Sequence, residues 1–319
     1  MYVLLIRALS LYKHLGRVIC VDEGVKMARR YSYWRAFKEN RMNIDIKRTA
    51  GVPVKICLLA ASDKYDPRYY GSANLRFCVS DAKKFLQNAP ISGEVQVVEV
   101  YDQQLTKANL LETIDSILSQ LQTGDLFLYY TSSHGTYLDI QEKGKDVRMT
   151  GRCMYAPGAG NGDPVLWDRE LIRLWKTIPE GVTVLTISDS CYSESQDRMT
   201  RPAVEYIAPR FVEVKNKANT VVPTVGVLRL KKGAGLISIS ASKVTQTSLE
   251  VSYGSGNPRN GGVFTEAFLN PGVATEGITL IDHFMASKRA IPANMPQIPT
   301  ISFTPKSGAA FNRMKKMKL

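Results

Sequence analysis

The sequence predicts an α/β fold, with a central, mostly parallel sheet flanked by helices on both faces. Short apolar runs rich in β-branched and aromatic residues recur along the chain, and segments with helical spacing lie between them. The 319 residues suffice for one large α/β domain or two small ones.

The elements follow in chain order. Residues 1–51 read as a basic arm or helical extension, ended by the break Thr49-Ala50-Gly51-Val52-Pro53. Val54–Ala60 is a strand by its apolar, β-branched start. Asp81–Gln87 reads as a helix, with Cys78 and Val79 near its start, and Val95–Tyr101 as a second strand. Lys107–Leu121 carries Leu110, Leu111, Ile114, Ile117, Leu118 and Leu121 at helical spacing, which predicts an amphipathic helix. Asp125–Ser132 is a third strand, Asp168–Lys176 a short helix, Val182–Ser188 a fourth strand and Leu236–Ala241 a fifth. Thr265–Leu269 and Leu280–Ala290 are further helices. The body is expected over 52–305, divided into 52–195, a basic linker 196–232 and 233–305, with a basic tail over 306–319.

Composition excludes several classes. No apolar stretch is long enough to span a bilayer, and Met1–Ile6 lacks the features of a signal peptide. Five scattered cysteines argue against a disulfide framework and for a reducing, cytoplasmic setting. No Cys-x-x-Cys or clustered His suggests zinc. Of the net charge of +13, +7 lies in residues 1–50 and +5 in 305–319, leaving the body near neutral. The ends therefore read as solvated arms, and no nucleic-acid-binding module accompanies them. No coiled coil appears, and a monomer is expected.

Chemistry concentrates at two strand ends. His134-Gly135 closes the run beginning at Leu126, and Asp189-Ser190-Cys191 closes the run beginning at Val182. Ligands of parallel sheets bind at carboxyl ends of strands, so the two runs can bring an imidazole and a thiol to one edge. Cys191 is the candidate nucleophile and His134 its base, then the acid for the leaving amine. The N–H groups of Gly135 and Cys191 are candidate oxyanion donors. Period-two spacing puts Ser132 with His134 and Asp189 with Cys191, and helical spacing puts Cys78 with Asp81. Asp81 and Asp189 then form either an anionic pocket for Arg or Lys, or merely a helix cap and a turn; spacing leaves both open. His14 and His283 read as structural or surface residues.

At these residues the chain resembles the metacaspase branch of the caspase-like cysteine peptidases, family C14. The blocks that carry it are Ser132-Ser133-His134-Gly135 and Asp189-Ser190-Cys191-Tyr192-Ser193, with Tyr192 in place of the commoner His. Looser ones are Cys78-Val79-Ser80-Asp81 (after Phe77 rather than Gly), Ser240-Ala241-Ser242 through Gln246 and Glu250, Gly262–Thr265, and Met295-Pro296-Gln297. The resemblance implies a caspase-hemoglobinase fold and a cysteine endopeptidase that cuts peptides and proteins after Arg or Lys through a Cys191/His134 dyad. It implies a pocket for the residue before the cut made by Cys78, Asp81, Ser132 and Asp189. No cofactor is expected: Arg169 interrupts the acids at Asp168 and Glu170 where many relatives bind calcium. A basic-specific enzyme carrying a basic linker is also expected to process itself there or in the 1–50 arm. The competing expectation is a catalytically silent relative that acts as a binding or scaffold protein.

Overall fold

The structure, a computed structural model, describes residues 17–18, 31–35, 44–142, 144–158, 162–190, 205–214, 227–243, 246–273, 277–295 and 297–318. Cys191, Cys20, His14 and Pro296 lie outside them, as do most of the 1–43 arm and of the linker.

An eight-stranded sheet forms the centre. Its strands are β1 (Arg17–Val18), β2 (Tyr31–Arg35), β3 (Lys55–Ala61), β4 (Val95–Tyr101), β5 (Leu126–Ser132), β9 (Thr183–Asp189), β11 (Gly235–Ser240) and β14 (Thr300–Thr304). Their spatial order is β1-β2-β4-β3-β5-β9-β11-β14, parallel from β2 through β11 and antiparallel at both edges. The apolar runs have a direct physical reason. A parallel sheet is covered on both faces, so β9 is buried at every residue and β3 at all but its first. Along β3, Cys57, Leu59 and Ala61 face one core, and Ile56, Leu58 and Ala60 face the other.

Helices fill both faces. Among the described residues they are α1 (Pro67–Tyr70), α2 (Cys78–Asn88), α3 (Lys107–Gln120), α4 (Asp168–Trp175), α5 (Val263–Leu269), α6 (Leu280–Ala290) and α7 (Gly308–Lys315). Phe85 of α2, Phe264 and Phe268 of α5 and Phe284 of α6 pack into the first core. Leu110, Ile114, Ile117 and Leu118 of α3 and Trp175 of α4 pack into the second. Thr106 caps α3 by accepting the Asn109 N–H at 3.2 Å. Two small antiparallel sheets complete the fold. One joins β6 (Gly135–Glu142), β7 (Lys145–Cys153) and β8 (Val165–Trp167); the other joins β10 (Tyr206–Pro209), β12 (Leu249–Ser252) and β13 (Gly261–Gly262).

The parallel strands and the main helices of the body follow the sequence pattern, whereas the two small antiparallel sheets and the two ends were not expected. Residues 31–35, expected within a helical extension, instead pair with β4 as a strand. The segment before residue 51 is no detached arm either. Ile44 and Ile46 are buried in the second core, and Arg48 reaches Asp125 through Nη2 at 2.7 Å. At the other end, the expected tail forms α7, whose Met314 is buried against Gly235. Isolated apolar residues among many bases gave no local signal for either.

Asp125 is the fixed point of this corner. It accepts the Val54 N–H at 2.8 Å and the Gln122 N–H at 2.7 Å, besides Arg48. Burial would push its carboxyl up, but these donors hold it below the ordinary value. Asp125→Asn is expected to cost about 1–3 kcal/mol in urea denaturation. Deleting residues 1–51 is expected to destabilise the chain more than deleting 1–43, because only the former removes Ile44, Ile46 and Arg48.

Candidate active site

The carboxyl ends of β5 and β9 are adjacent and in register, with Ser132 opposite Asp189. Ser190, which precedes Cys191, lies beside Ser133, which precedes His134; their hydroxyl oxygens are 3.3 Å apart. The two strands thus deliver their terminal residues to one edge, as the sequence predicts. Cys191 itself lies outside the described residues.

His134 is held from three sides. Its backbone N–H donates to Tyr65 Oη at 2.7 Å, its Nε2 lies 2.7 Å from the Ala73 carbonyl oxygen, and its ring packs against Tyr65 at a centroid distance of 4.9 Å. Nε2 must therefore carry the proton, which leaves Nδ1 as the acceptor in the neutral ring. Nδ1 is buried and finds no hydrogen-bond partner among the described residues. Burial lowers the imidazole to about 4, so it is neutral at pH 7 and able to accept a proton. His283, by contrast, is structural: its Nε2 meets the Phe268 carbonyl oxygen at 2.8 Å and its ring packs edge-on against Phe268.

Asp81 and Asp189 converge on one buried side chain, Arg210. Asp81 does not cap α2. Asp63, in the turn after β3, does so by accepting the Cys78 N–H at 2.7 Å. That contact sets the start of the helix and turns Asp81, one turn along, toward the end of β9. Asp189 accepts from the Ser248 hydroxyl at 2.6 Å and the Thr265 hydroxyl at 2.7 Å. Cys78 is fully buried beside Ser132 and Arg210, and burial pushes its thiol well up.

Between the two acids sits a cation of the chain itself. Arg210 is fully buried. Its Nη1 contacts Asp189 Oδ2 at 2.9 Å and donates to Ser132 Oγ at 2.8 Å. Its Nη2 donates to Asp81 Oδ2 and lies 3.6 Å from Glu250 Oε2. Burial pushes the Asp81 carboxyl up to about 7, against the pull of Arg210, and the Asp189 charge adds to the rise. The neighbouring acids hold Arg210 well above its ordinary value in spite of burial.

The backbone around Arg210 is as specific as its side chain. The Gly135 N–H donates to the Arg210 carbonyl oxygen at 2.8 Å, the Arg210 N–H to the Ser248 carbonyl at 2.9 Å, and the Val212 N–H to the Gly135 carbonyl at 3.1 Å. Upstream, β10 adds to β12 as an antiparallel strand, with Pro209 opposite Leu249 and Tyr206 opposite Ser252. Residues 206–212 thus lie in the cleft as an extended peptide. Its arginine fills the acidic pocket, and its carbonyl meets one of the two predicted oxyanion donors.

Sequence reading missed this occupant, noting Arg210 only as one base of a basic stretch. It also missed Glu250, Ser248 and Thr265 as pocket residues, and Gly261-Gly262 as a wall. A Cβ on Gly262 would strike the Asp189 carboxylate and the Arg210 guanidinium, and one on Gly261 (φ +148°) would strike Asp81. These residues come from the second half of the chain and meet the first only through the fold. Asp168 pairs with Arg152, and Glu170 with Lys107. Among the described residues no three His, Cys, Asp or Glu side chains come together to hold a metal.

Two outcomes are expected. Arg210→Ala leaves buried acids without their cation and should cost about 3–5 kcal/mol by urea denaturation at pH 8. The loss should shrink at pH 6, where Asp81 takes up a proton. For His134, the folded value lies below the ordinary 6.5, so the unfolded chain binds the extra proton. Stability is therefore lost as pH falls from 6.5 through about 4, by up to about 3 kcal/mol. His134→Gln should remove that part of the acid-side slope in pH-dependent melts.

Residues 68–197 match the family model described as metacaspase, peptidase C14 domain. The chain is 24% identical over 247 residues to metacaspase-5 of Trypanosoma brucei brucei, across 72% of this chain and 48% of that protein; it spans about half the relative's length. Protein GSU0716 of Geobacter sulfurreducens superposes with a TM-score of 0.62 at 21% identity, covering 84% of this chain and all of the other, which shows a shared fold. Caspase-1 of Spodoptera frugiperda gives a TM-score of 0.47 at 11% identity, over 83% of this chain and 94% of that one. No helix among the described residues is long and apolar enough to cross a membrane. Both strand-end blocks and the helix that carries Asp81 lie within the stretch similar to the metacaspase peptidase C14 domain, and they sit on a mostly parallel α/β sheet covered by helices.

Proposed function

We propose that the protein is a cysteine endopeptidase that cuts after Arg or Lys, and that its own Arg210–Phe211 bond is a substrate. One observation carries the reading: Arg210 lies in the acidic pocket while its carbonyl oxygen accepts from the Gly135 N–H. A buried pocket with two carboxylates and a hydroxyl suits a guanidinium, and it disfavours an acidic side chain by leaving like charges unpaired. The silent-scaffold alternative gives no reason for the backbone at Arg210 to meet Gly135 as well.

In this reading the Cys191 thiol gives its proton to neutral His134, and the sulfur attacks the Arg210 carbonyl carbon. The oxygen takes up the negative charge, held by the Gly135 N–H and, by expectation, that of Cys191. The imidazolium then protonates the Phe211 nitrogen as the C–N bond breaks, and water hydrolyses the thioester. Until that cut, or displacement of the segment, Arg210 competes with any other peptide for the pocket. Asp81 ties occupancy to pH: its ionisation as pH rises through about 7 strengthens cation binding.

Intact mass spectrometry after incubation checks the reading. The wild type should yield two fragments divided between Arg210 and Phe211, and Cys191→Ala should stay whole. Arg210→Lys should still be cut and Arg210→Gln should not. Fluorogenic peptides ending in Arg, Lys, Asp or Asn, with and without calcium, should be cut only after the two bases. An uncut wild type that is also silent on every peptide would favour the scaffold alternative.

A further inference from the structure

We propose that Tyr137 is a specificity-determining residue for the position that follows the cut, and that it selects an aromatic side chain there. This rests on Arg210–Phe211 being a substrate bond. Phe211 is the next residue along the peptide, and its ring stacks on Tyr137 with centroids 5.8 Å apart and planes 25° apart. Phe211 is bridged in parallel to Gly135, so its side chain runs along the strand that carries Tyr137 two residues on.

Tyr137 is held in place from behind this contact. The Arg148 guanidinium lies 3.9 Å from the centre of its ring. That guanidinium is itself fixed by a bidentate pair with Asp139, Nε to Oδ1 at 2.8 Å and Nη2 to Oδ2 at 2.9 Å. Asp139 and Arg148 are cross-strand partners in the β6–β7 hairpin, and Tyr137 lies on the same face as Asp139. A ring fixed this way offers a ready-made surface, so the incoming aromatic gains contact without ordering the protein around it. The chain beyond turns inward. Val214 is buried in the first core, and Val212 packs against it together with Leu138 and Ile140 of the hairpin. The favoured substrate is therefore a peptide with Arg before the cut and, after it, an aromatic residue followed by apolar ones at the positions of Val212 and Val214.

The self-cleavage rate of the full chain tests this, read as fragment appearance over time by intact mass. Phe211→Trp should be cut at about the wild-type rate, and Phe211→Gly about 10-fold more slowly. Tyr137→Ala should slow cleavage similarly, and the double variant should be little slower than either single one, because both remove the same contact. Tyr137→Phe should retain the preference. Losses that simply multiply in the double variant, or equal rates for Phe211→Gly and wild type, overturn the proposal while leaving the endopeptidase reading intact. A wild type that never cuts at Arg210, with Cys191→Ala indistinguishable from it, overturns both.

Discussion

A buried guanidinium among buried carboxylates is the constraint on which the rest of the site depends. Removing Arg210, Asp81, Asp189 and Glu250 from water costs several kcal/mol per ion, and mutual attraction recovers that only in good geometry. Each acid is therefore supplied with further donors. Gly262 N–H serves Asp81, Ser248 and Thr265 serve Asp189, and the Arg76 N–H with Tyr206 serves Glu250. Those donors come from four separate segments. The cation thus holds the two halves of the chain together, and the rim of the cleft is organised around it.

The acids are occupied by a guanidinium of the same chain, which loses less entropy on binding than a separate molecule would. The three backbone hydrogen bonds of Arg210 and Val212 fix the peptide on both sides of the Arg210 carbonyl. A side chain captured alone would show no such registration. The same cleft then extends in both directions, with Tyr206 under the Arg76 guanidinium at 4.1 Å upstream and Phe211 on Tyr137 downstream.

The imidazole belongs to the same economy of burial. Tyr65 and the Ala73 carbonyl fix the ring and its tautomer, and low exposure keeps it neutral. A neutral ring fixed in this way can accept a proton. The sheet places that ring at the end of β5, with the chain leaving β9 beside it through Ser190.

The sequence by itself determined the parts governed by local periodicity. The five parallel strands of the body and the helices at 107–120, 168–175 and 280–290 were legible because a covered parallel strand must be apolar throughout and a covering helix must be apolar on one face. His134, Asp189 and Cys191 stood out as candidates because ligands of such sheets bind at strand ends, and blocks resembling a known family's stood there. Asp81 was visible as a residue and ambiguous as a role, since spacing cannot tell a cap from a pocket wall. Only the tertiary structure showed what Asp81 meets, by bringing Asp63 to the helix start and Gly262 and Arg210 to its carboxylate. It also showed that Arg210, alike in sequence to the bases around it, is buried, which depends on long-range register: β10 against β12 and Gly135 against Arg210. Those contacts join residues far apart in the chain, and no local pattern encodes them.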